Sequence, residues 1–295
     1  MSWNRIYRPK QIAQLHNTAV REYFLSLLTA GALPQVFLFT GPKGIGKTST
    51  ARILAALVND PANQAAIQKI FFTKEKNTLP LKEPSLENDL TRRIFEGSSF
   101  VVTELDAASN RGIDDIRALK ERISLPPQEG SMAVYILDEV HMLTTEAFNA
   151  LLKILEEPPA HVIFILATTE LEKIPPTIIS RAQIIRFTQA TDTEILAALS
   201  AIVTAEKLEA EPEALEVIVN QSEGSFRDAV KLLEMVAQVG PITQKATTEL
   251  LFGAIKQTAP VLVTKLLEKD QEGIVVLFQT LSAQQANPKL LHTQL

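Results

Sequence analysis

A run of β-favouring apolar residues, Val36 to Phe39, passes through Thr40 into Gly41-Pro42-Lys43-Gly44-Ile45-Gly46-Lys47-Thr48. The octet satisfies G-x-x-x-x-G-K-[ST] in the strand-to-helix setting where that pattern has a mechanical meaning. Three glycines let the backbone wrap so that successive N–H groups converge on a phosphate. A helix opening near Gly46 adds the positive end of its dipole. In such a cradle, running from Gly41 to Ser49, Lys47 reaches the β and γ phosphates and Thr48 ligates Mg²⁺. The feature calls for an α/β architecture.

A second run, Met132 to Leu137, is continuously apolar and ends in Asp138-Glu139. Buried parallel strands deliver carboxylates to the carboxyl edge of a sheet in this way. Beside a phosphate loop, Asp138 is expected to hold the Mg²⁺ shell and Glu139 to polarise an attacking water. Asp138-Glu139-Val140-His141 also has the DExH form of some helicases, but no other helicase motif accompanies it.

Composition narrows the rest. At 295 residues and 46% hydrophobic content the chain can fill two or three cores. No apolar run approaches the roughly 18 residues of a membrane span, and Met-Ser-Trp-Asn-Arg is no signal peptide, which points to the cytoplasm. Cysteine is absent, so disulfides and thiolate metal sites are excluded, and His16, His141, His161 and His292 form no local metal motif. A net charge of −5 argues against coating nucleic acid by bulk positive charge but leaves room for a local basic stripe.

Upstream of the loop, WNRIYRP forms a short aromatic and basic arm, and a helix is expected over 18–28. Tyr7 and Arg8 there either anchor the arm or contact a nucleotide base or ribose. Helical spacing continues over 47–58. Residues 60–95 read as a partly helical insertion with a helix near 86–95. FVVTEL, 100–105, is a strand. Asp106 to Gly112 form a loop, with Ser109 and Asn110 as N-cap or turn residues, before a helix over 113–123. Arg111, Arg117, Lys120 and Arg122 make this region positive, as either a solvated face or a phosphate-contacting one. A helix over 144–157, a buried strand over 161–169 and a short strand over 183–187 follow. From Thr188 the β signal ceases. Helices are expected over 192–206, with Asp192 or Thr193 as N-cap, 212–221 and 225–238, then beyond Gly240-Pro241 over 259–267 and 271–281.

The order of phosphate loop, LDEVH, ATT, SR and GSFRDA resembles AAA+ ATPases. More narrowly, WNRIYRP, ELDAASNRGIDDIR, YILDEVHML, FNALLKILEEPP, HVIFILATTE and IPPTIISR are similar to the gamma/tau family of clamp-loader subunits of bacterial DNA polymerase III, densely over residues 1–240. The resemblance implies a P-loop NTPase domain with a parallel five-stranded sheet (1–187), a helical lid (188–241) and a helical collar (242–295) cut short by Leu295. It implies ATP and Mg²⁺ as cofactors. It makes Thr169 the sensor of the γ-phosphate or water, Arg227 a second sensor in the lid, and Arg181 a finger acting in trans on a neighbouring subunit. Asn110, Arg111, Arg117 and Lys153 match positions near primer-template DNA. Other loader subunits and a sliding clamp are the implied partners. The chain departs from the family where a four-cysteine zinc module is common, since 60–95 stands there without cysteine and no zinc is expected. Ser180-Arg181-Ala182 replaces the family's Ser-Arg-Cys. A non-hydrolysing delta-prime-like scaffold and a DNA-remodelling AAA+ motor are the rival functions.

Overall fold

A computed structural model describes residues 2–75, 77, 79–267, 270, 271, 273, 275 and 276. Its contacts divide into two compact units. The first comprises residues 3–194 with Ser225–Arg227, and the second comprises Ser2, residues 195–224 and the chain from Asp228 onward.

In the first unit α1 (Thr18–Ala30) precedes β1 (Val36–Thr40) and α2 (Lys47–Val58). α3 (Asp89–Glu96), β2 (Val102–Asp106), α4 (Ile113–Ile123), β3 (Ala133–Asp138), α5 (Thr145–Glu156), β4 (Val162–Thr168) and β5 (Gln183–Arg186) follow. All five strands are parallel, in the order β2-β3-β4-β1-β5. This is the five-stranded parallel sheet implied by the resemblance.

Side-chain alternation explains why the central strands read as continuous apolar runs. Phe37, Phe39, Val134, Ile136, Ile163 and Ile165 face one side and pack with α1 and α2. Val36, Leu38, Tyr135, Leu137, Phe164 and Leu166 face the other and pack with α4 and α5. Both faces are covered, so β1 and β4 are buried along their whole length. The helix after β1 lies on the first face and the helices after β2 and β3 on the second. The crossovers therefore diverge between β1 and β4, and a crevice opens outside the carboxyl ends of such strands.

Some local expectations need correction. Phe100 precedes β2 and is 81% exposed, because the strand begins only where pairing with β3 does. The insertion is a single-turn 3-10 helix (Pro61–Asn63) and a short helix (Gln64–Ile67) widening into a π-turn (Gln68–Thr73), and among its described residues no further helix or strand precedes α3. Neither Asp192 nor Thr193 caps the next helix, α6 (Asp192–Ala205). Thr191 does, accepting from Glu194 N–H while Glu194 accepts from Thr191 N–H, a reciprocal box.

The second unit contains most of α6, α7 (Pro212–Gln221), most of α8 (Phe226–Val239) and α9 (Gln244–Leu267). Pro212 stands at the first turn of α7, where its missing N–H is harmless. The helix expected over 259–267 is the end of α9, which runs unbroken from Gln244. The β signal does not vanish entirely after Thr188, since Ala210 and Ile242 form an isolated bridge. The expected 271–281 helix falls largely outside the described residues.

Candidate nucleotide site

The phosphate loop leaves β1 at the carboxyl edge of the sheet, between β4 and β5. Gly41 N–H donates to Thr168 O of β4 at 3.2 Å, and Phe187 N–H donates to Thr40 O at 2.7 Å, so the loop is bracketed by both neighbouring strands. Two glycines are required here. Gly41 has φ +144° and a Cβ on it would lie 2.1 Å from Phe187 O; Gly44 has φ +77° and its Cβ would lie 2.1 Å from Ser225 Oγ. Ile45 is buried and pins the loop beneath, while Pro42 and Lys43 are exposed. Gly46 and Lys47 open α2, with Thr48 and Ser49 half-buried in its first turn.

Lys47 is 7% exposed and its Nζ donates to Gly41 O at 2.6 Å and Pro42 O at 2.7 Å, folding back over the loop it must serve. Burial depresses its pKa; Asp138 and then Glu139 act against the fall, and Lys43 adds to it. Asp138 ends β3. Burial raises its pKa, Glu139 N–H donating to Oδ1 at 2.9 Å lowers it, and the charges of Glu139 and Asp106 raise it again. Desolvation thus works against the charged form of both groups, and the Lys47–Asp138 attraction recovers only part of it.

Glu139 adopts φ 49°, ψ 43°, the left-handed region, which for a non-glycine residue is a conformation the surroundings must enforce. Its carboxylate lies 3.3 Å from Lys43 Nζ, accepts from Thr169 Oγ1 at 3.0 Å and stands 3.4 Å from His141 Nδ1. The structure therefore brings Lys47, Asp138, Glu139 and Thr169 together at one sheet edge.

Ser225–Arg227 belong to the same unit, and Arg227 N–H donates to Gly44 O at 3.2 Å. Arg8 lies in the field of Arg52 and Arg227, with Glu104 opposing them. Burial, more than these charges, lowers its pKa. Tyr7 follows a one-turn helix, Trp3–Ile6, that the arm was not expected to form, and packs edge-on against Trp3 with ring centroids 6.3 Å apart. Arg181 is elsewhere: its guanidinium pairs with Glu156 at 2.7 Å and donates to Thr177 O at 2.8 Å.

Of the basic positions, Arg111, Arg117 and Lys153 are exposed and Asn110 is half-buried. Asp106 organises their loop, accepting from Ala108 N–H and Ser109 Oγ on its side chain and from Asn110 Nδ2 on its carbonyl. Ser109 and Asn110 are thus turn residues, and Gly112 is the N-cap of α4, with Asp115 accepting from its N–H. Arg111 O accepts from Thr144 N–H, tying the loop to the start of α5. Arg117 pairs with Asp114 at 3.0 Å.

Sequence reasoning placed Lys43 in the phosphate cradle but missed its pairing with Glu139, and it missed Thr168 as a partner of this edge. Thr168 is fully buried one residue before Thr169 and meets His141 Nδ1 at 2.9 Å. Strand parity was the available signal, since adjacent threonines must point to opposite sides.

The residues fit a bound polyphosphate with a divalent cation. A positive-φ glycine loop offers its N–H groups, and a buried lysine and a half-buried aspartate, each disfavoured in its charged form, stand beside it. A magnesium ion bound there would neutralise phosphate charge, with Thr48 and Asp138 as the residues to hold it.

A family model described as "DNA polymerase III, delta subunit" matches residues 16–191. A second, "DNA polymerase III clamp loader subunit, ATPase lid domain", matches residues 194–237. The subunit gamma of Buchnera aphidicola from Acyrthosiphon pisum is 32% identical over 95% of this chain and 73% of its own length. The chain belongs to the gamma/tau family of DNA polymerase III clamp-loader subunits. The subunit tau of Bacillus subtilis is 40% identical over 87% of this chain and 44% of its own length. That of Escherichia coli is 33% identical over 95% and 41%. The chain thus spans less than half of either tau subunit. Among solved structures, a Thermotoga maritima RuvB Holliday junction branch migration motor aligns with TM-score 0.57 at 18% identity, over 88% of this chain and 79% of that one. This likeness is one of fold, the AAA+ type. No helix among the described residues is long and apolar enough to cross a membrane.

Proposed function

We propose that this gamma/tau-family chain is an ATP-hydrolysing motor subunit of a cytoplasmic clamp loader, acting with other loader subunits to place a sliding clamp on primer-template DNA. The observation that carries the reading is the convergence of Lys47, Asp138, Glu139 and Thr169 at the phosphate loop, with Glu139 held in a left-handed conformation beside Thr169. A scaffold would have no use for that strain.

In this reading Gly41 to Ser49 cradle the phosphates of ATP, Thr48 and Asp138 hold Mg²⁺, and Tyr7 and Arg8 lie toward the base and ribose. Glu139 accepts a proton from the attacking water or orients it, and Thr169 keeps the carboxylate aimed. Arg227 senses the nucleotide through its place beside Gly44. Arg181 serves a neighbouring subunit; leaving its pair with half-exposed Glu156 costs little, because exposed ion pairs are worth about 0–1 kcal/mol. Asn110, Arg111, Arg117 and Lys153 touch the DNA backbone, which makes binding salt-dependent and nearly indifferent to sequence. Residues 188–241 act as lid and 242–295 as part of a collar. Loading requires that ATP and ADP favour different assemblies, since a ligand binding both equally shifts nothing.

The test is ATP turnover with and without clamp and primer-template DNA, in assemblies carrying wild-type chain, Lys47→Ala or Arg181→Ala. Stimulated turnover is expected for the wild type. Lys47→Ala should silence the site of its own chain and Arg181→Ala that of a neighbour. Nucleotide binding without turnover would indicate a scaffold; turnover indifferent to the clamp, with movement along duplex DNA, would indicate a remodelling motor.

A further inference from the structure

His141, which gives the carboxylate motif its DExH form, stands between the two strand ends that carry the proposed hydrolytic groups. It lies in the one-turn helix Val140–Met142 after β3, with its side chain 6% exposed. Nδ1 is 2.9 Å from Thr168 Oγ1 and 3.4 Å from Glu139 Oε2, and Nε2 is 3.0 Å from Glu170 Oε1. Glu170 is itself anchored: its second oxygen accepts from Lys173 Nζ at 2.7 Å, and its N–H donates to Thr168 Oγ1 at 3.0 Å. The imidazole is therefore hydrogen-bonded through Nδ1 to Thr168 at the end of β4 and packed through Nε2 against the Glu170 carboxylate that follows it, while its Nδ1 edge forms the wall beside Glu139.

The three side chains that meet the Glu139 carboxylate differ in what holds them. Lys43 is 80% exposed and free to swing on a flexible stem, and Thr169 offers a single hydroxyl. His141 is buried and fixed at two points. We infer that His141 is a positioning residue: it ties the end of β3 to the end of β4 so that Glu139 keeps its left-handed backbone and its alignment with Thr169. The inference rests on the hydrolytic reading of Glu139 for its consequence, but the tie itself is a property of the chain without nucleotide. It accounts for a buried histidine that needs neither a metal nor a helicase role.

Two measurements test it on the whole chain, with His141→Ala and His141→Asn, the second keeping a polar group near the Nδ1 position. In hydrogen exchange without nucleotide, His141→Ala should speed exchange across 139–143 and 168–171 together by about tenfold, leaving β1 and α2 unchanged, as expected for local opening of one cooperative patch. Neither segment responding, or only one, overturns the tie. In clamp- and DNA-stimulated ATP turnover of the assembled loader carrying wild type or variant, kcat of His141→Ala should fall about tenfold or more with ATP affinity within about twofold, and His141→Asn should recover part of the loss, as expected when a base is present but poorly aimed. Unchanged kcat, or kcat and affinity falling together, overturns the positioning role. If the wild type does not hydrolyse ATP, the functional reading fails, and exchange alone decides the tie.

Discussion

Helix α2 has polar surroundings at both ends, and they are of opposite kinds. At its carboxyl end Asn59 donates to Ala55 O and Met132 O and accepts from Ser131 and Met132 N–H, all within 3.0 Å. Asn63 donates to Leu57 O and Lys82 O and accepts from Lys82 N–H, and Asp60 accepts from Ala62 and Ser85 N–H. Backbone groups that the irregular 60–88 segment would otherwise leave unpaired are answered there by short side chains. That end is complete in itself, its side chains holding the segment from Asp60 to Ser85 in place. At the amino end Lys47 donates to carbonyls of its own loop, half-buried Asp138 is disfavoured in its charged form and Glu139 is held in a left-handed turn. Polar groups whose hydrogen bonds are all answered within the chain build a fold, whereas charges kept at a disadvantage mark where a ligand of opposite charge would be welcome.

Substitutions can break or sharpen that contrast. The largest effect is expected from Glu139→Gln, which should lower ATP turnover by about 10²–10⁴ with ATP affinity and Tm nearly unchanged, measured by steady-state kinetics and thermal unfolding. A comparable loss of Tm would mean that the amino end is structural after all. Next, Asn59→Ala leaves four backbone groups at a buried site without partners. It should cost about 3 kcal/mol, a fall of roughly 6–12 °C in Tm, with ATP affinity of the folded protein unchanged.

A smaller change in stability than that of Asn59→Ala, and of opposite sign, is expected at Asp138. Asp138→Asn should abolish turnover yet raise Tm by about 2–4 °C at neutral pH, because the folded state no longer buries an anion. The pH dependence follows from the raised pKa. Below the ordinary value of 3.8 the carboxyl is protonated folded or unfolded, and variant and wild type should match. As pH rises through 3.8 and then through the higher folded value, the wild type loses stability that the variant keeps. Unfolding curves across the acid range would read this, and a gap constant with pH would contradict it.

Much of this was legible in the sequence because its signals are local. The phosphate loop, the apolar runs of β1, β3 and β4, and the carboxylates closing β3 are each contained within a dozen residues. Shared family motifs extended that reading to Thr169, Arg181 and Arg227. What escaped was decided by partners far along the chain. Thr191 displaced Asp192 as a cap because Glu194 could close a box with it and also accept from Thr18 N–H. The asparagines of the insertion look like any polar loop until Met132 and Lys82 are placed against them.

The sequence by itself determined that this chain carries a phosphate loop at a strand end and a pair of carboxylates at another, because strand periodicity and glycine placement depend only on neighbouring residues. Only the tertiary structure decided that β4 would stand between them, putting Thr168 and Thr169 against His141 and Glu139. Strand order is set by which faces bury best over the whole sheet, and no short stretch of sequence contains it.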